Sequence, residues 1–330
     1  MPQRVLLLGA TGTIGRATAK ALLRRGHEVV CLVRPNAGVG GRLQQRDIER
    51  LLAGTVVRLG DVGDPASLQR DGVRGERFDA LVSCLASRTG APRDAWAIDH
   101  QAHLQALAAA RLAGAGHMVL LSAICVQRPR LAFQQAKLAF EQALIDSGLT
   151  YSIVRPTAFF KSLSGQVERV RQGKPFLVFG SGELTACKPI SDGDLADYLA
   201  DGLHLRERRN RILPIGGPGP ALTPRAQGEL LFAALGREPR FKSVPVGLLD
   251  AVIATLSALG RIAPQLAEKA ELARIGRYYA TESMLVLDPL TGRYDAAATP
   301  STGRQTLADF YADLAGGSEQ LPERGDHAVF

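Results

Sequence analysis

Seven residues near the N-terminus, Gly9-Ala10-Thr11-Gly12-Thr13-Ile14-Gly15, restrict this chain more than any other feature. They follow an apolar run at residues 4–8 and open a helical pattern over residues 14–25. A strand that turns tightly into a helix gathers backbone N–H groups and the positive end of the helix dipole at one point, which suits a phosphate. Gly9 permits the exit from the strand, Gly12 lets backbone approach a pyrophosphate, and Gly15 lets helix and strand pack closely. A glycine triad alone is weak, but between a strand and a helix it predicts a dinucleotide, with Thr11, Thr13 and Ile14 beside it.

The rest of the first half supplies that setting. Short apolar runs at residues 28–33, 55–59, 79–85, 117–122 and 150–154 alternate with helical patterns at 42–53, 94–112 and 131–146. Such alternation predicts a parallel sheet with crossover helices, and unbroken runs such as Val5-Leu6-Leu7-Leu8 suit strands covered on both faces. The expected fold is therefore α/β, a Rossmann-type doubly wound parallel sheet with a smaller C-terminal substrate-binding region. Residues 1–156 form the expected NADP-binding domain. Residues 157–315 form a substrate region interleaved with the last strands of the sheet, with short strands near 176–179 and 185–188 and a helix over 223–235. Residues 316–330 are polar and expected to be a flexible tail.

Charge and cysteines narrow the classes. The net charge is +8, and it comes from scattered Arg without a basic block interleaved with aromatics, so no nucleic-acid partner is expected. An enzyme that handles anionic ligands fits that balance. Cys31, Cys84, Cys125 and Cys187 lie far apart without a C-x-x-C pair, so no metal site is expected and buried, reduced thiols are. Residues 1–9 enter a strand directly, with no signal peptide expected. The apolar stretch at 244–263 is interrupted by Asp250 and Arg261, which favours a core or interface helix over a transmembrane segment.

The second strand ends in Cys31-Leu32-Val33-Arg34-Pro35, without the carboxylate that would hold the ribose hydroxyls of NAD. Arg34 is placed to pair with a 2′-phosphate, and Arg42 follows a loop containing Gly38, Gly40 and Gly41. NADPH is the expected cofactor. Asp61, after the third strand, stands where the adenine edge is often met, or it forms a turn.

The nucleotide half resembles that of short-chain dehydrogenases, which pair a serine after strand five with Tyr-x-x-x-Lys on the next helix. Ser122 and Lys137 stand at matching places, but the tyrosine position is Phe133, in Phe133-Gln134-Gln135-Ala136-Lys137. Phenylalanine cannot donate a proton. Two readings stay open: an NADP-binding sensor without catalysis, of the NmrA-like kind, or a reductase of a carbon–carbon double bond, which needs no acid at that position.

Longer stretches are family-specific. Val82-Ser83-Cys84-Leu85-Ala86-Ser87-Arg88, Leu120-Leu121-Ser122-Ala123-Ile124-Cys125-Val126-Gln127 and the run from Tyr151 through Arg155-Pro156-Thr157-Ala158-Phe159-Phe160-Lys161 to Leu163 resemble the NADPH-dependent divinyl chlorophyllide a 8-vinyl reductases. So do Cys187-Lys188-Pro189-Ile190-Ser191, Leu213-Pro214-Ile215-Gly216-Gly217-Pro218-Gly219 and Ile275-Gly276-Arg277-Tyr278-Tyr279-Ala280. The resemblance runs to about residue 312. It implies reduction of the 8-vinyl group of a magnesium tetrapyrrole in chlorophyll or bacteriochlorophyll synthesis, in the cytoplasm, with room for peripheral contact with photosynthetic membranes. It adds Cys84, Leu85, Ala86, Lys137, Pro156, Thr157 and Phe159 to the cofactor contacts. Phe159, Phe160, Leu163 and a helix at 244–260 are candidates for a flat apolar substrate, and Lys161, Lys188 and Arg277 for its carboxylate. Lys137, Ser122 and Tyr278 are the catalytic candidates, with Tyr279, Tyr151 or water as other proton sources.

Overall fold

Unbroken apolar runs force strands to be covered on both faces, and the chain arranges its strands accordingly. In a computed structural model every residue is described except 36, 39, 40, 42, 320 and 322–330. Gly40, Arg42 and most of the expected tail therefore lie outside the described residues. The strands β1 (Arg4–Leu8), β2 (Glu28–Val33), β3 (Val56–Leu59), β4 (Ala80–Ser83), β5 (His117–Leu121), β6 (Thr150–Pro156) and β8 (Arg211–Ile215) form one sheet in the order β3-β2-β1-β4-β5-β6-β8. The five pairings among the first six strands are all parallel. The chain winds outward from β1 to β3, then returns to place β4 on the other side of β1. The strand order reverses there, and in open α/β sheets the crevice at such a reversal is where ligands bind. The glycine turn follows β1 at that point.

Two compact units emerge. The first comprises residues 1–88, 92–156 and 192–213. On one face of its sheet Leu6, Leu8, Leu32, Leu81 and Met118 pack with Ala102, Ala106 and Ala110, whose small side chains let helix approach sheet. Each fully buried leucine of this kind contributes about 1.5–3 kcal/mol. On the other side of the unit, helix Thr13–Arg24 packs against helix Asp192–Asp201. Arg25 fastens the two through Asp197 and Asp201, each at 2.7 Å.

The second unit comprises residues 89–91, 157–191 and 214–330. Its core gathers Phe160, Val167, Phe176, Phe232, Phe310 and Tyr311 beside β7 (Phe176–Phe179), which pairs in parallel with β9 (Phe241–Val244). Helices Val246–Leu259 and Pro264–Thr281 lie against each other, and the first has no fully buried residue. Among the described residues no helix is long and apolar enough to cross a membrane. Residues 185–188, expected as a strand, contribute only isolated bridges at Cys187, to Leu222 and Met284. The helix expected over 94–112 is broken into Pro92–Ala95, a wider π-helical stretch Trp96–Ala102, and His103–Leu112.

Candidate active site

The turn after β1 has the shape a dinucleotide needs. Gly9 takes a left-handed φ of +72°, and a Cβ there would fall 2.5 Å from the Cys84 carbonyl carbon, at the exit of β4. At Gly15 a Cβ would meet the Gly9 oxygen at 2.1 Å. No side chain larger than hydrogen fits either place, so the close approach of β1, the first helix and the β4 exit depends on these two residues. Gly12 is the N-cap of helix Thr13–Arg24 and brings no capping side chain, which leaves the helix start open to an anion. These features fit the diphosphate of a nicotinamide dinucleotide. Arg34 is exposed just past β2. Asp61 is exposed too, and its Oδ1 accepts the Gly63 N–H at 2.8 Å, closing a turn.

Ser122 follows β5, while Phe133 and Lys137 stand one turn apart on helix Ala132–Asp146, as their spacing requires. Gln134 opens that helix, its side-chain oxygen accepting the N–H groups of Arg130 at 2.8 Å and Leu131 at 3.0 Å. Lys137 points at a buried carboxylate: its Nζ lies 2.9 Å from Asp99 Oδ1, and the Asp99 side chain is wholly buried. The same oxygen accepts the Ser87 N–H at 3.2 Å. Burial alone would push the Asp99 carboxyl up, but the Lys137 charge and the Ser87 and Lys137 hydrogen bonds hold it below the usual carboxylate range. Next to it His103 is pushed down to about 4, by burial first and by the Lys137 charge second. His103 is thus a neutral ring at physiological pH. Its Nδ1 meets the Ile98 carbonyl at 2.9 Å and its Nε2 meets Ser83 Oγ at 2.8 Å. Donation from Nδ1–H to the carbonyl leaves Nε2 to accept the serine hydroxyl.

One turn further along the helix stands a second cluster. The Ser122 hydroxyl donates to Glu141 Oε1, and Arg155 donates from Nε to Oε1 at 3.2 Å and from Nη2 to Oε2. Ser122 is therefore engaged with a buried carboxylate. Phe133 is buried, 9% exposed, and offers no donor.

Sequence reading found Ser122, Phe133 and Lys137, and the structure gathers them in the first unit beside the β4 exit that carries Cys84, Leu85 and Ala86. Asp99, His103, Glu141 and Arg155 escaped it. A Lys at 137 and a Glu at 141, one turn apart on a helix with buried faces, were the available signal. Three of the thiols are poor nucleophiles: burial pushes Cys31 up to about 11, and Cys84 and Cys187 up to about 12.

Pro156 ends β6 in the first unit. The remaining candidates lie in the second. Thr157 is buried, and its hydroxyl donates to the Lys188 carbonyl. Phe160 packs on Phe310 with ring centroids 5.2 Å apart, whereas Phe159 and Lys161 are half-buried. Lys188 Nζ donates to the Thr299 carbonyl at 2.8 Å. Arg277 is paired with Asp250. Tyr278 is buried and meets Tyr279 edge-to-face at 5.8 Å.

Residues 9–204 match the family of NAD(P)H-binding domains. A divinyl chlorophyllide a 8-vinyl-reductase of Zea mays is 50% identical over 99% of this chain and 82% of its own length. The chain belongs to the divinyl chlorophyllide a 8-vinyl-reductase family. The member from Arabidopsis thaliana is also 50% identical, over 94% of this chain and 76% of its own. Among solved structures, the NADPH-dependent quinone oxidoreductase of Escherichia coli complexed with NADPH superposes with a TM-score of 0.63 at 19% identity, covering 94% of this chain and 99% of its own. That likeness is one of fold. With the NAD(P)H-binding match and the glycine geometry, this member of the family is a nicotinamide-dependent oxidoreductase.

Proposed function

We propose that this chain reduces the 8-vinyl group of divinyl chlorophyllide to ethyl, with NADPH as the reductant. The observation that carries the reading is 50% identity over 99% of the chain to a protein named for that reaction. Phe133 agrees with it. Bound NADPH supplies a hydride, and a vinyl group conjugated to a macrocycle takes it at the terminal carbon and spreads the charge into the ring, so no acid is needed where the tyrosine is missing.

The residues then divide the work. Gly9, Thr11, Gly12, Thr13, Ile14 and Gly15 cradle the diphosphate, and Arg34, with no competing carboxylate at the end of β2, selects the 2′-phosphate of NADPH over NADH. Asp61, Cys84, Leu85, Ala86, Pro156, Thr157 and Phe159 complete the cofactor contacts. Lys137 holds the ribose hydroxyls, and Ser122, tied to Glu141, fixes the floor of the site. Phe159 and Phe160 offer apolar surface to the tetrapyrrole, Lys161 and Arg277 meet its carboxylate, and Tyr278 delivers the proton to the second vinyl carbon. The reading places the protein in the cytoplasm against photosynthetic membranes. Exposed Leu248, Val252 and Leu259 on helix Val246–Leu259 support that contact.

The test is direct. Purified protein given NADPH and divinyl chlorophyllide should convert the substrate with a blue shift of its Soret band. NADPH bound without turnover would remove the enzyme and leave an NADP-binding sensor.

A further inference from the structure

Lys137 is held from outside its own helix, by a residue that no spacing rule marks. We propose that Asp99 is a positioning residue, whose buried carboxylate clips Lys137 to the loop leaving β4 and so fixes two cofactor-contacting elements in one geometry. The inference rests on the reading that Lys137 and the 85–87 loop face the dinucleotide.

Three observations carry it. Asp99 sits in the π-helical stretch Trp96–Ala102, between two α-helical segments. A π-helical turn is rare and is frequently found at functional sites, although a second one, Leu68–Val73, lies elsewhere in this unit. Here it carries a carboxylate that is 1% exposed. Next, a single oxygen, Oδ1, accepts from both Lys137 Nζ at 2.9 Å and the Ser87 backbone N–H at 3.2 Å, so helix and loop share one anchor. Last, Oδ2 is buried and has no hydrogen-bond partner among the described residues. A buried ion pair replaced by apolar side chains often leaves a protein as stable or more so, and an unmet acceptor adds a further penalty. Packing alone therefore does not account for this carboxylate, whereas a fixed, charged Lys137 does.

The neighbours leave the pairing undisturbed. His103 is neutral and bonded to Ser83 and Ile98, and Glu141 is taken by Arg155 and Ser122. Asp99 is thus the carboxylate that Lys137 meets. Without it the ammonium loses the contact that holds it against the loop leaving β4. The ribose hydroxyls would then lose a fixed donor.

The experiment reads NADPH binding by its fluorescence in the full chain. Asp99→Asn should weaken NADPH about tenfold at neutral pH. In a Lys137→Gln background, Asp99→Asn should cost nothing more, because both changes remove one interaction. Wild-type affinity in Asp99→Asn, or an equal further loss in the Lys137→Gln background, would overturn the proposal. Should Asp99→Asn not fold, Asp99→Glu keeps the charge and displaces it by one methylene. It should lose affinity several-fold, and unchanged affinity would equally overturn the clip. Binding is the readout, so a protein that behaves this way yet leaves divinyl chlorophyllide untouched defeats the proposed reaction and not the role of Asp99.

Discussion

Two buried ion pairs lie one turn apart on helix Ala132–Asp146, and they are built differently. At Glu141 both carboxylate oxygens are used, one by the Ser122 hydroxyl and Arg155 Nε, the other by Arg155 Nη2. At Lys137 the partner carboxylate uses one oxygen twice, and its other oxygen has no hydrogen-bond partner among the described residues. A closed network ties β5, β6 and the helix together, and truncating it exposes a charge with nowhere to go. An open one keeps a cation in place at a structural cost. The difference separates a network that ties elements together from the pair that the proposed function turns towards the cofactor.

The sharpest way to break the comparison is Glu141→Ala. Removing the carboxylate strands Arg155 and unties Ser122, and should lower stability by about 3–5 kcal/mol, seen as a lower denaturant midpoint. A loss below about 1 kcal/mol would mean the network is not closed. Acid should strain the open cluster next. His103 has a folded pKa of about 4 against an ordinary 6.5. The unfolded chain therefore takes the proton first, so the stabilisation is complete above pH 6.5 and drains away as pH falls towards 4. It amounts to roughly 3 kcal/mol. His103→Gln should remove that part of the acid sensitivity; an unchanged slope between pH 6.5 and 4 would contradict it. His117, also pushed down to about 4 by burial, contributes separately.

The first unit was largely legible and its anchors were not. Strands β1 and β2 fall where the apolar runs place them, because a strand buried on both faces writes its length directly into the sequence. The glycine turn, Ser122, Phe133 and Lys137 were readable because each is a local pattern. Asp99 pairs with Lys137 across 38 residues, and no spacing records such a contact. The π-helical stretch was equally hidden, since an α-period was expected through 94–112 and a tertiary demand sets the extra width. The return of later chain to the sheet was expected as an interleaving of its last strands, but not which residues, 192–213, make it. Arg25 meets Asp197 and Asp201 there, far along the chain.

Smaller effects sharpen the cofactor end. Arg34→Ala should weaken NADPH about tenfold and NADH hardly at all, measured by paired titrations; equal losses would mean that Arg34 does not read the 2′-phosphate. Smallest of all, Phe133→Tyr should leave vinyl reduction within about threefold, less than about 1 kcal/mol of transition-state stabilisation. A large acceleration would reveal a proton shortage at that position.

The central claim is that an inherited serine–lysine frame without its tyrosine, anchored by Asp99 and Glu141, serves a double-bond reduction. The most direct measurement follows the Soret band and NADPH absorbance together, in one cuvette of purified protein and divinyl chlorophyllide. The account predicts a blue shift with one NADPH consumed per vinyl group reduced. NADPH bound and unconsumed, with the Soret band unmoved, would contradict it.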